Sequence, residues 1–217
     1  MQSQHLEHVT GRTVDDVSTE TNRHFNRWDV AYEGAPPWDI GHPQEEFMRL
    51  AERGEIKGCV LDIGCGTGEN ALYFAKLGHE AWGIDISQIA VQKARGKAAM
   101  RGLHAHFMVR DALNLSALGH SFNTVTDCGL FHTLDDDDRS TFLRSLSSVL
   151  LPGGTYFMLA MSEKEPACWG GPRRISQKEI TDTFRDGWRI NYIRDAKFRA
   201  NIDKDTPLAW LSSITKE

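Results

Sequence analysis

The chain is poor in cysteine, and its cysteines are not arranged in pairs. Four occur among the 217 residues, at positions 59, 65, 128 and 168, and no two of them form a CxxC motif. Cys59 and Cys65 lie within or beside an apolar stretch, as reduced core thiols do. This pattern is typical of a protein in a reducing compartment, so we predict a cytoplasmic location and no metal site.

The sequence also lacks a surplus of positive charge and any long apolar run. The formal net charge is −5, whereas nucleic acid or an anionic membrane requires a basic surface, so we predict neither partner. No apolar segment approaches the ~20 residues that span a bilayer, and no signal-peptide pattern opens the chain. The four aspartates at 135–138 precede a helical pattern, whose N-terminal partial charge explains them better than a metal ion does.

Length and periodicity predict one folded domain. A chain of 217 residues suits a single domain with a sizeable core. Residues 1–19 are polar without a strong period, so we predict a mobile arm followed by one domain over 20–217. Apolar spacing predicts a helix over 43–53, a strand over 155–160 behind a Pro-Gly-Gly turn, and two closing antiparallel strands over 188–198 and 208–215. The pattern is compatible with either a monomer or a homodimer.

Three glycines at alternating positions follow a short apolar stretch that contains one acid. Residues 59–68 read CVLDIGCGTG, and a helical pattern with apolar residues on one side continues to Leu77. This order predicts a buried strand, a tight turn and the first turn of a helix. Glycine lets backbone amides and a helix N-terminus approach a ligand above the strand, which indicates a nucleotide-type site.

Two nucleotide-type ligands fit such a turn. The dinucleotide fingerprint G-x-G-x-x-G needs a third glycine where Glu69 stands, and a pyrophosphate there disfavours a carboxylate. The observed spacing Gly64-x-Gly66-x-Gly68, within LDIGCGTG, resembles motif I of the class I methyltransferases that depend on S-adenosylmethionine (SAM). The resemblance implies an α/β, Rossmann-like fold with a seven-stranded, mostly parallel sheet of order 3-2-1-4-5-7-6 and helices on both faces. It also implies SAM as cofactor, S-adenosylhomocysteine (SAH) as its product, and no metal.

Acids at the ends of the next two strand patterns extend the expected cofactor site. Asp85 follows Gly64 by about twenty residues, the separation at which a carboxylate reaches both ribose hydroxyls. The family resemblance gives Asp111 and Ala112 to the adenine, through a bond to its amino group and apolar packing. The full set predicted to bind the cofactor is Trp38, Asp62, Gly64, Cys65, Gly66, Gly68, Asn70, Asp85, Ile86, Asp111, Ala112, Asp127, Cys128 and Gly129.

A Pro- and Gly-rich segment precedes this core. Residues 32–44 (YEGAPPWDIGHPQ) are too rich in Pro and Gly for the interior of a helix or strand. They resemble the N-terminal segment of a small-molecule branch of the family, which includes thiol, thiopurine and halide or thiocyanate methyltransferases and bacterial enzymes acting on heterocyclic compounds. In that branch a tryptophan lies against SAM and closes the pocket, which implies the same role for Trp38. We predict a lid over 20–53 and a substrate-side loop over 163–175.

The acceptor side is predicted from the fourth strand and the loop after it. In an open α/β sheet, ligands bind beyond the carboxyl ends of the strands near the reversal of strand order, which places residues 128–132 between cofactor and acceptor. His132 is the candidate general base there, with plain lining of the pocket as the alternative. The predicted catalytic residues are His132, Tyr32 and Trp38, and the predicted substrate-binding residues are Trp28, Phe131, His132, Trp169 and Arg173.

Together these features predict methyl transfer to a small-molecule acceptor. Transfer from a sulfonium is an in-line displacement that needs alignment and desolvation more than covalent help. Because no obvious acid–base pair is present, a thiol or thiolate is the first choice of acceptor, and a nitrogen or oxygen of a heterocyclic or phenolic compound is the alternative. A SAM-binding protein without catalysis and a nicotinamide-dependent oxidoreductase are the rivals from other classes.

Overall fold

The computed structural model describes residues 27–166, 171–202 and 206–217. The predicted arm over 1–19 and the predicted substrate-binding Trp169 lie outside these ranges. Residues 27–33 are helical and form α1, the first described element. None of the helices in the described part of the chain combines the length and apolar character that a bilayer crossing requires.

Seven strands form one sheet of order β3-β2-β1-β4-β5-β7-β6, which confirms the predicted fold class. Strands β1 to β5 pair in parallel, and β7 runs antiparallel to both β5 and β6. The strands are β1 (Val60–Ile63), β2 (Ala81–Asp85), β3 (His106–Val109), β4 (Phe122–Cys128), β5 (Leu150–Met161), β6 (Trp188–Lys197) and β7 (Leu208–Lys216).

Helices connect the parallel strands, as parallel pairing requires a crossover. Beyond α1, they are α2 (Glu45–Glu52), α3 (Glu69–Lys76), α4 (Gln88–Arg101), α5 (Asp136–Val149) and α6 (Gln177–Thr183), with short 3₁₀ segments over Ala112–Leu118 and Phe131–Thr133. The helix predicted over 43–53 is shorter by two residues at the start and one at the end, because the extended backbone of Gln44 caps it. The aspartates at 135–138 open α5, where the Asp135 side chain accepts the Asp138 N–H.

The fifth strand begins earlier than the sequence predicts. Leu150 already pairs with Phe122, and the register then shifts before Thr155 pairs with Thr124. The expected Pro-Gly-Gly turn is therefore an irregularity inside β5. Gly154 permits it, since a Cβ at that position would lie 2.8 Å from the carbonyl oxygen of Leu151.

The sheet order brings the carboxyl ends of β2, β1 and β4 side by side. These strands end near Asp85, Ile63 and Cys128, and the glycine loop leaves β1 between the other two. Strand order reverses between β1 and β4, which is where open α/β sheets bind ligands. A large apolar core on either face of the sheet, with Phe142, Tyr156 and Trp210 among its fully buried side chains, holds these ends in place.

Close packing between β2, β3 and the glycine loop gives a first test. A Cβ at Gly83 would meet Phe107 Cε1 at 2.6 Å and Cys65 Sγ at 2.9 Å. Gly83→Ala is therefore expected to lower the free energy of unfolding by roughly 1–3 kcal/mol in urea denaturation. Gly96→Ala is the matched control: this exposed α4 position has no atom within 4 Å of the new Cβ. It should raise the free energy of unfolding by about 1 kcal/mol. Equal effects of the two variants would contradict this packing.

Candidate functional site

The glycine loop has a backbone that side chains rarely adopt. Gly64, Gly66 and Gly68 have φ of 62°, 52° and 85°, all in the left-handed region. At Gly66 a Cβ would lie 2.6 Å from the hydroxyl of Tyr32, which comes from the predicted lid. The missing side chain thus lets the lid reach the loop backbone.

Three buried carboxyl groups lie on the neighbouring strands β2, β1 and β4. Asp62, Asp85 and Asp127 are each at most 7% exposed. Burial raises the pKa of Asp62 to about 7, with the charges of Asp127 and Asp85 adding to the shift. Burial likewise raises the pKa of Asp85 to about 6 and that of Asp127 to about 6. Acidic groups are therefore concentrated at this edge of the sheet. A cationic ligand would reduce the free-energy cost of burying their negative charge.

Asp62 has one carboxylate oxygen without a partner. Its Oδ1 accepts a hydrogen bond of 2.7 Å from the Thr126 hydroxyl. Asn70 lies close enough to lower its pKa somewhat, but the buried Oδ2 has no hydrogen-bond partner among the described residues. An unsatisfied buried acceptor costs roughly 1–3 kcal/mol, so this oxygen suits a ligand that donates hydrogen bonds.

Asp85 holds the glycine loop against the end of β2. Its Oδ2 accepts from the Gly66 N–H at 2.8 Å, and its Oδ1 accepts from the Ser87 N–H at 2.9 Å. Each oxygen keeps a second lone pair, so these bonds leave room for the predicted ribose contact. On the lid side, Asp29 accepts from the Ser87 hydroxyl at 2.6 Å and from the Ile89 N–H at 3.1 Å.

Asp127 makes a different set of bonds. Its carboxylate accepts from the N–H groups of Leu130 and Phe131 and from the Tyr156 hydroxyl, the last at 2.7 Å. These donors fix the start of the loop after β4. Its predicted cofactor contact stays a prediction.

Aromatic residues of the lid pack together over the loop. The Trp38 indole N–H donates to the Tyr32 hydroxyl at 3.0 Å, and the rings of Trp28 and Trp38 meet edge to face at 5.7 Å. Tyr32 is 4% exposed, and burial, with the Asp85 charge beside it, raises its pKa well above the ordinary value. Its phenol is therefore neutral near pH 7 and serves as a cover for the site.

Polar bonds tie the lid to the domain on two sides. Toward the glycine loop, the Thr67 hydroxyl donates to Asp39 at 2.6 Å, and the Lys97 ammonium donates to the same hydroxyl at 2.6 Å. Lys97 also pairs with Glu69 at 2.7 Å. Glu69 occupies the position at which a dinucleotide fingerprint needs its third glycine. The charge of its carboxylate is neutralised by Lys97 from α4.

The second tie joins the lid to the segment after β6. The Gln44 side chain exchanges two hydrogen bonds of 2.9 Å with the backbone of Arg199. The Asn201 N–H donates to the Pro37 carbonyl at 2.7 Å. Gln44 also donates its backbone N–H to the Asn70 side chain at 3.0 Å.

A cavity lies between the lid and the glycine loop, at the carboxyl ends of the strands, where open α/β sheets bind ligands. The predicted site residues that line it are Tyr32, Trp38, Gly64, Cys65, Gly66, Asn70 and Cys128. Lining residues that sequence reasoning did not assign are Asp39, Ile40, His42, Gln44, Thr67, Glu69 and Phe198. Asp39 and Gln44 belong to the segment 32–44 from which the lid was predicted, so the sequence could have indicated them as lining residues. Phe198 lies far from that segment in the chain, and no sequence motif indicates it.

His132 lies behind the cavity wall with one ring nitrogen in use. Its Nδ1 accepts the backbone N–H of Met161 at 3.1 Å, so the neutral ring carries its proton on Nε2. A Cβ at Gly129 would lie 3.2 Å from that Nε2. Burial, and to a lesser extent the charge of Arg174, lowers the pKa of His132 to about 4. The imidazole is neutral near pH 7 and is suited to donate a hydrogen bond.

Other predicted site residues do not line this cavity. Phe131 is fully buried in the core against Phe142, and Arg173 forms a surface ion pair of 2.7 Å with Asp136. Asp111 caps the 3₁₀ segment through a bond of 2.9 Å from the Leu113 N–H. The other predicted residues that do not line the cavity are Trp28, Asp62, Gly68, Asp85, Ile86, Ala112, Asp127, Gly129 and His132.

These groups fit SAM better than a dinucleotide. SAM carries a sulfonium and an ammonium, which match the unpaired Asp62 oxygen and the buried acids around it. A pyrophosphate would instead bring negative charge to the same edge of the sheet. Asp85 retains acceptor capacity for hydroxyl groups, and the aromatic lid favours a cation.

Comparison with known proteins agrees with this geometry. The family described as "Methyltransferase domain" matches residues 60–154. A 2-heptyl-1-hydroxyquinolin-4(1H)-one methyltransferase from Mycobacteroides abscessus is 37% identical over 170 residues, covering 77% of this chain and 75% of the relative. A probable thiol methyltransferase 2 from Arabidopsis thaliana is 28% identical over 149 residues, covering 67% and 65% of the two chains.

Solved structures show the same likeness. A structure from work on the conversion of a disulfide bond into a thioacetal group during echinomycin biosynthesis has a TM-score of 0.81 and 34% identity, covering 89% of this chain and 93% of that one. The magnesium protoporphyrin IX methyltransferase from Synechocystis with bound SAH has a TM-score of 0.65 at 19% identity, covering 92% and 97% of the two chains, and supports the fold.

The raised pKa of Asp62 predicts a pH-dependent stability. A carboxyl group whose folded pKa lies above its unfolded value of about 4 stabilises the fold when protonated. That contribution is lost as the pH rises through the folded pKa, about 7. The free energy of unfolding of the ligand-free protein should fall between about pH 5 and about pH 8, and less steeply in Asp62→Asn. Urea denaturation at both pH values measures this. Asp182→Asn, at an exposed acid on α6, is the control; an unchanged slope in Asp62→Asn would show the shift to be wrong.

The Tyr32 hydroxyl predicts how firmly the lid closes. Tyr32→Phe removes the acceptor of the Trp38 indole N–H, so a closed lid would leave that donor without its bond. We expect SAH to bind about 3- to 10-fold more weakly in calorimetry, the effect of one hydrogen bond. Tyr73→Phe, on α3 and half-buried, is the control and should bind as the wild type does. Equal affinities in all three proteins would speak against a lid fastened at this hydroxyl.

Proposed function

The chain belongs to the class I SAM-dependent methyltransferases that act on small molecules, and we propose that its acceptor is a flat heterocyclic compound, methylated on an oxygen that is already ionised near neutral pH. The prediction of a SAM-dependent enzyme is thereby confirmed. The proposal adds the class of acceptor and the way in which the site handles it.

The state of His132 is the observation that carries this proposal. Its Nδ1 is occupied by the Met161 N–H and its pKa is lowered to about 4. A general base works best with a pKa near the operating pH, so this imidazole is poorly suited to take a proton from an acceptor. Tyr32, with its raised pKa, is neutral and also lacks that capacity.

The carboxylates at the cavity are likewise engaged. Asp39 accepts from Thr67. Glu69 is held between Lys97 and Arg101; partial burial opposes ionisation of its carboxyl group, but the bonds to these two cations lower its pKa. His42, an exposed lining residue with Nδ1 3.0 Å from the Pro43 carbonyl, is the one imidazole at the cavity among the described residues. An acceptor that is already ionised does not require any of these groups to remove a proton from it.

The shape and surface of the cavity favour a planar ring. Trp38, Ile40 and Phe198 offer flat or apolar faces to the space beside Cys128. Aromatic groups pack well against such walls and exclude water from the reacting atoms.

These positions indicate what the cofactor and the protein each contribute to methyl transfer. When bound, SAM would supply an electrophilic methyl group: an anionic acceptor oxygen would bond to the methyl carbon as the C–S bond breaks and neutral SAH leaves. The chain supplies the buried acids that favour a cation, the Tyr32–Trp38 cover that excludes water, and an apolar wall that orients the acceptor. Alignment and desolvation of this kind account for most of the rate in such displacements.

The relatives support two acceptor chemistries to different degrees. The relative at 37% identity is a methyltransferase of a 1-hydroxyquinolinone, which supports a heterocyclic acceptor. The second candidate is a thiol, the first choice from the sequence, supported by the probable thiol methyltransferase at 28% identity. A thiol of pKa about 8.5 is partly ionised near neutral pH, so the same site needs no base for it either.

A pH–rate profile with two acceptors tests the proposal. With a 1-hydroxyquinolin-4-one and with thiophenol, the lower limb of log kcat/KM should follow the pKa of each acceptor and so differ between them. Mass spectrometry of the products locates the methyl group and decides which acceptor is preferred.

The variant His42→Gln completes this test. If the acceptor arrives ionised, its profile keeps the wild-type shape even where the rate changes. One inflection at the same pH with both acceptors, lost in His42→Gln, would identify a histidine base. That result would overturn the proposal while leaving membership of the family intact.

A further inference from the structure

A group of three side chains, the amino-edge group, lies at the end of the sheet opposite the cofactor site. Cys59 immediately precedes β1, Glu80 immediately precedes β2, and His120 lies two residues before β4. Val60 pairs with Ala81, so Cys59 and Glu80 are neighbours in register and point to the same face. The carbonyl of Cys59 accepts the Asn123 N–H at 3.0 Å, which joins the start of β4 to the same place.

The ligand atoms of these residues lie close together. Cys59 Sγ is 3.4 Å from His120 Nε2, and that nitrogen is 3.6 Å from Glu80 Oε1. All three atoms lie within 4.8 Å of one another. Around a tetrahedral zinc ion with bonds of about 2.0–2.3 Å, neighbouring ligand atoms stand about 3.3–3.6 Å apart. Both distances match the edges of such a tetrahedron.

We propose that Cys59, Glu80 and His120 bind a divalent transition-metal ion, zinc first among them, with water as the fourth ligand. One thiolate, one imidazole and one carboxylate are the three ligand types that zinc takes in proteins. Calcium and magnesium require oxygen ligands, so the sulfur and nitrogen exclude them.

Neighbouring residues hold all three ligands in place. The Trp82 indole stacks on the His120 ring at 4.9 Å with an interplanar angle of 21°. The same indole donates its N–H to Glu80 Oε1 at 3.1 Å. The Asn123 side chain accepts the Cys59 N–H at 3.0 Å and fixes the backbone of the thiol ligand. Partners that orient metal ligands in this way strengthen binding by about 10- to 100-fold.

A hydrogen-bonded Cys59–His120 pair is the simpler alternative. A thiol at 3.4 Å from an imidazole nitrogen satisfies that geometry without any ion. Such a pair has no need of a carboxylate, whereas Glu80 supplies a third ligand within reach of the same ion. Among the described residues, Glu80 forms its ion pair with His120, and no lysine or arginine takes the place of a metal there.

No local sequence pattern indicates this site, because its ligands are far apart in the chain. Cys59 and His120 are 61 positions apart, and no short Cys/His spacing joins them. Parallel pairing of β2, β1 and β4 brings the three together. These are also the strands whose other ends carry Asp85, Asp62 and Asp127. A metal at this edge is expected to fasten the strands and to take no part in methyl transfer.

Cobalt and zinc titrations of the full chain test the site. After treatment with a chelator, the wild type should bind one equivalent of Co²⁺ with near-ultraviolet thiolate-to-cobalt absorption, and Zn²⁺ should displace it. Cys59→Ser should lose that absorption. Glu80→Gln should weaken Zn²⁺ binding by more than about 10-fold. Zn²⁺ should raise the Tm of the wild type and leave that of Cys59→Ser unchanged, since binding to the folded state stabilises it.

Matched variants distinguish the loss of a metal ligand from a general effect on the protein. His79→Gln alters an exposed histidine at the same edge, whose Nδ1 lies 3.1 Å from the Gly58 carbonyl, and it should bind Zn²⁺ as the wild type does. If Cys59→Ser fails to fold, Glu80→Gln and His120→Gln carry the test. Wild-type protein that binds neither ion, or equal binding by Glu80→Gln, His120→Gln and His79→Gln, would overturn the proposal and leave a hydrogen-bonded pair.

Discussion

Burial of three carboxyl groups at the ends of adjacent strands is the constraint on which the site depends. Such groups are costly unless donors surround them. For Asp85 and Asp127 the donors include the amides of Gly66, Ser87, Leu130 and Phe131, and each amide belongs to a loop that shapes the pocket. Asp62 accepts from the Thr126 hydroxyl. The acids therefore set the electrostatics of the site and the path of its loops at once. The glycine loop, the turn into α4 and the loop after β4 are all folded around a carboxylate.

The lid depends on the same edge from the other side. Asp29 bonds the residue that caps α4, and Tyr32 lies against Gly66 because that residue has no side chain. The polar end of Tyr32 also accepts from Trp38. Cover and loop are thus complementary in shape and in hydrogen bonding. The Tyr32 phenol, whose pKa is raised well above its ordinary value, gives this cover a neutral face.

The sequence predicted the parts of the fold and site that local patterns determine. Gly64, Gly66 and Gly68 identified the cofactor loop, and the spacing to Asp85 placed the next acid on the neighbouring strand. Sheet order followed from the family resemblance and is confirmed. Local sequence patterns did not predict contacts between distant segments. Phe198 reaches the cavity from the end of β6, and the amino-edge group joins three separate strands. The sequence did not predict the irregular start of β5, because Pro-Gly-Gly is compatible with a turn as well as with a β-bulge. The protonation state of His132 required knowledge of its burial and of the Met161 amide.

The bonds of Gln44 and Asn201 make the lid and the segment after β6 one mechanical unit. Gln44 is 4% exposed, and it is joined to the Arg199 backbone in both directions, while Asn201 holds the Pro37 carbonyl. The lid cannot swing away from the cofactor loop without breaking or dragging these contacts, and Phe198, a wall of the cavity, belongs to the same segment. Movement of the lid would therefore displace Phe198 as well, so the cover and this wall of the cavity are expected to open together.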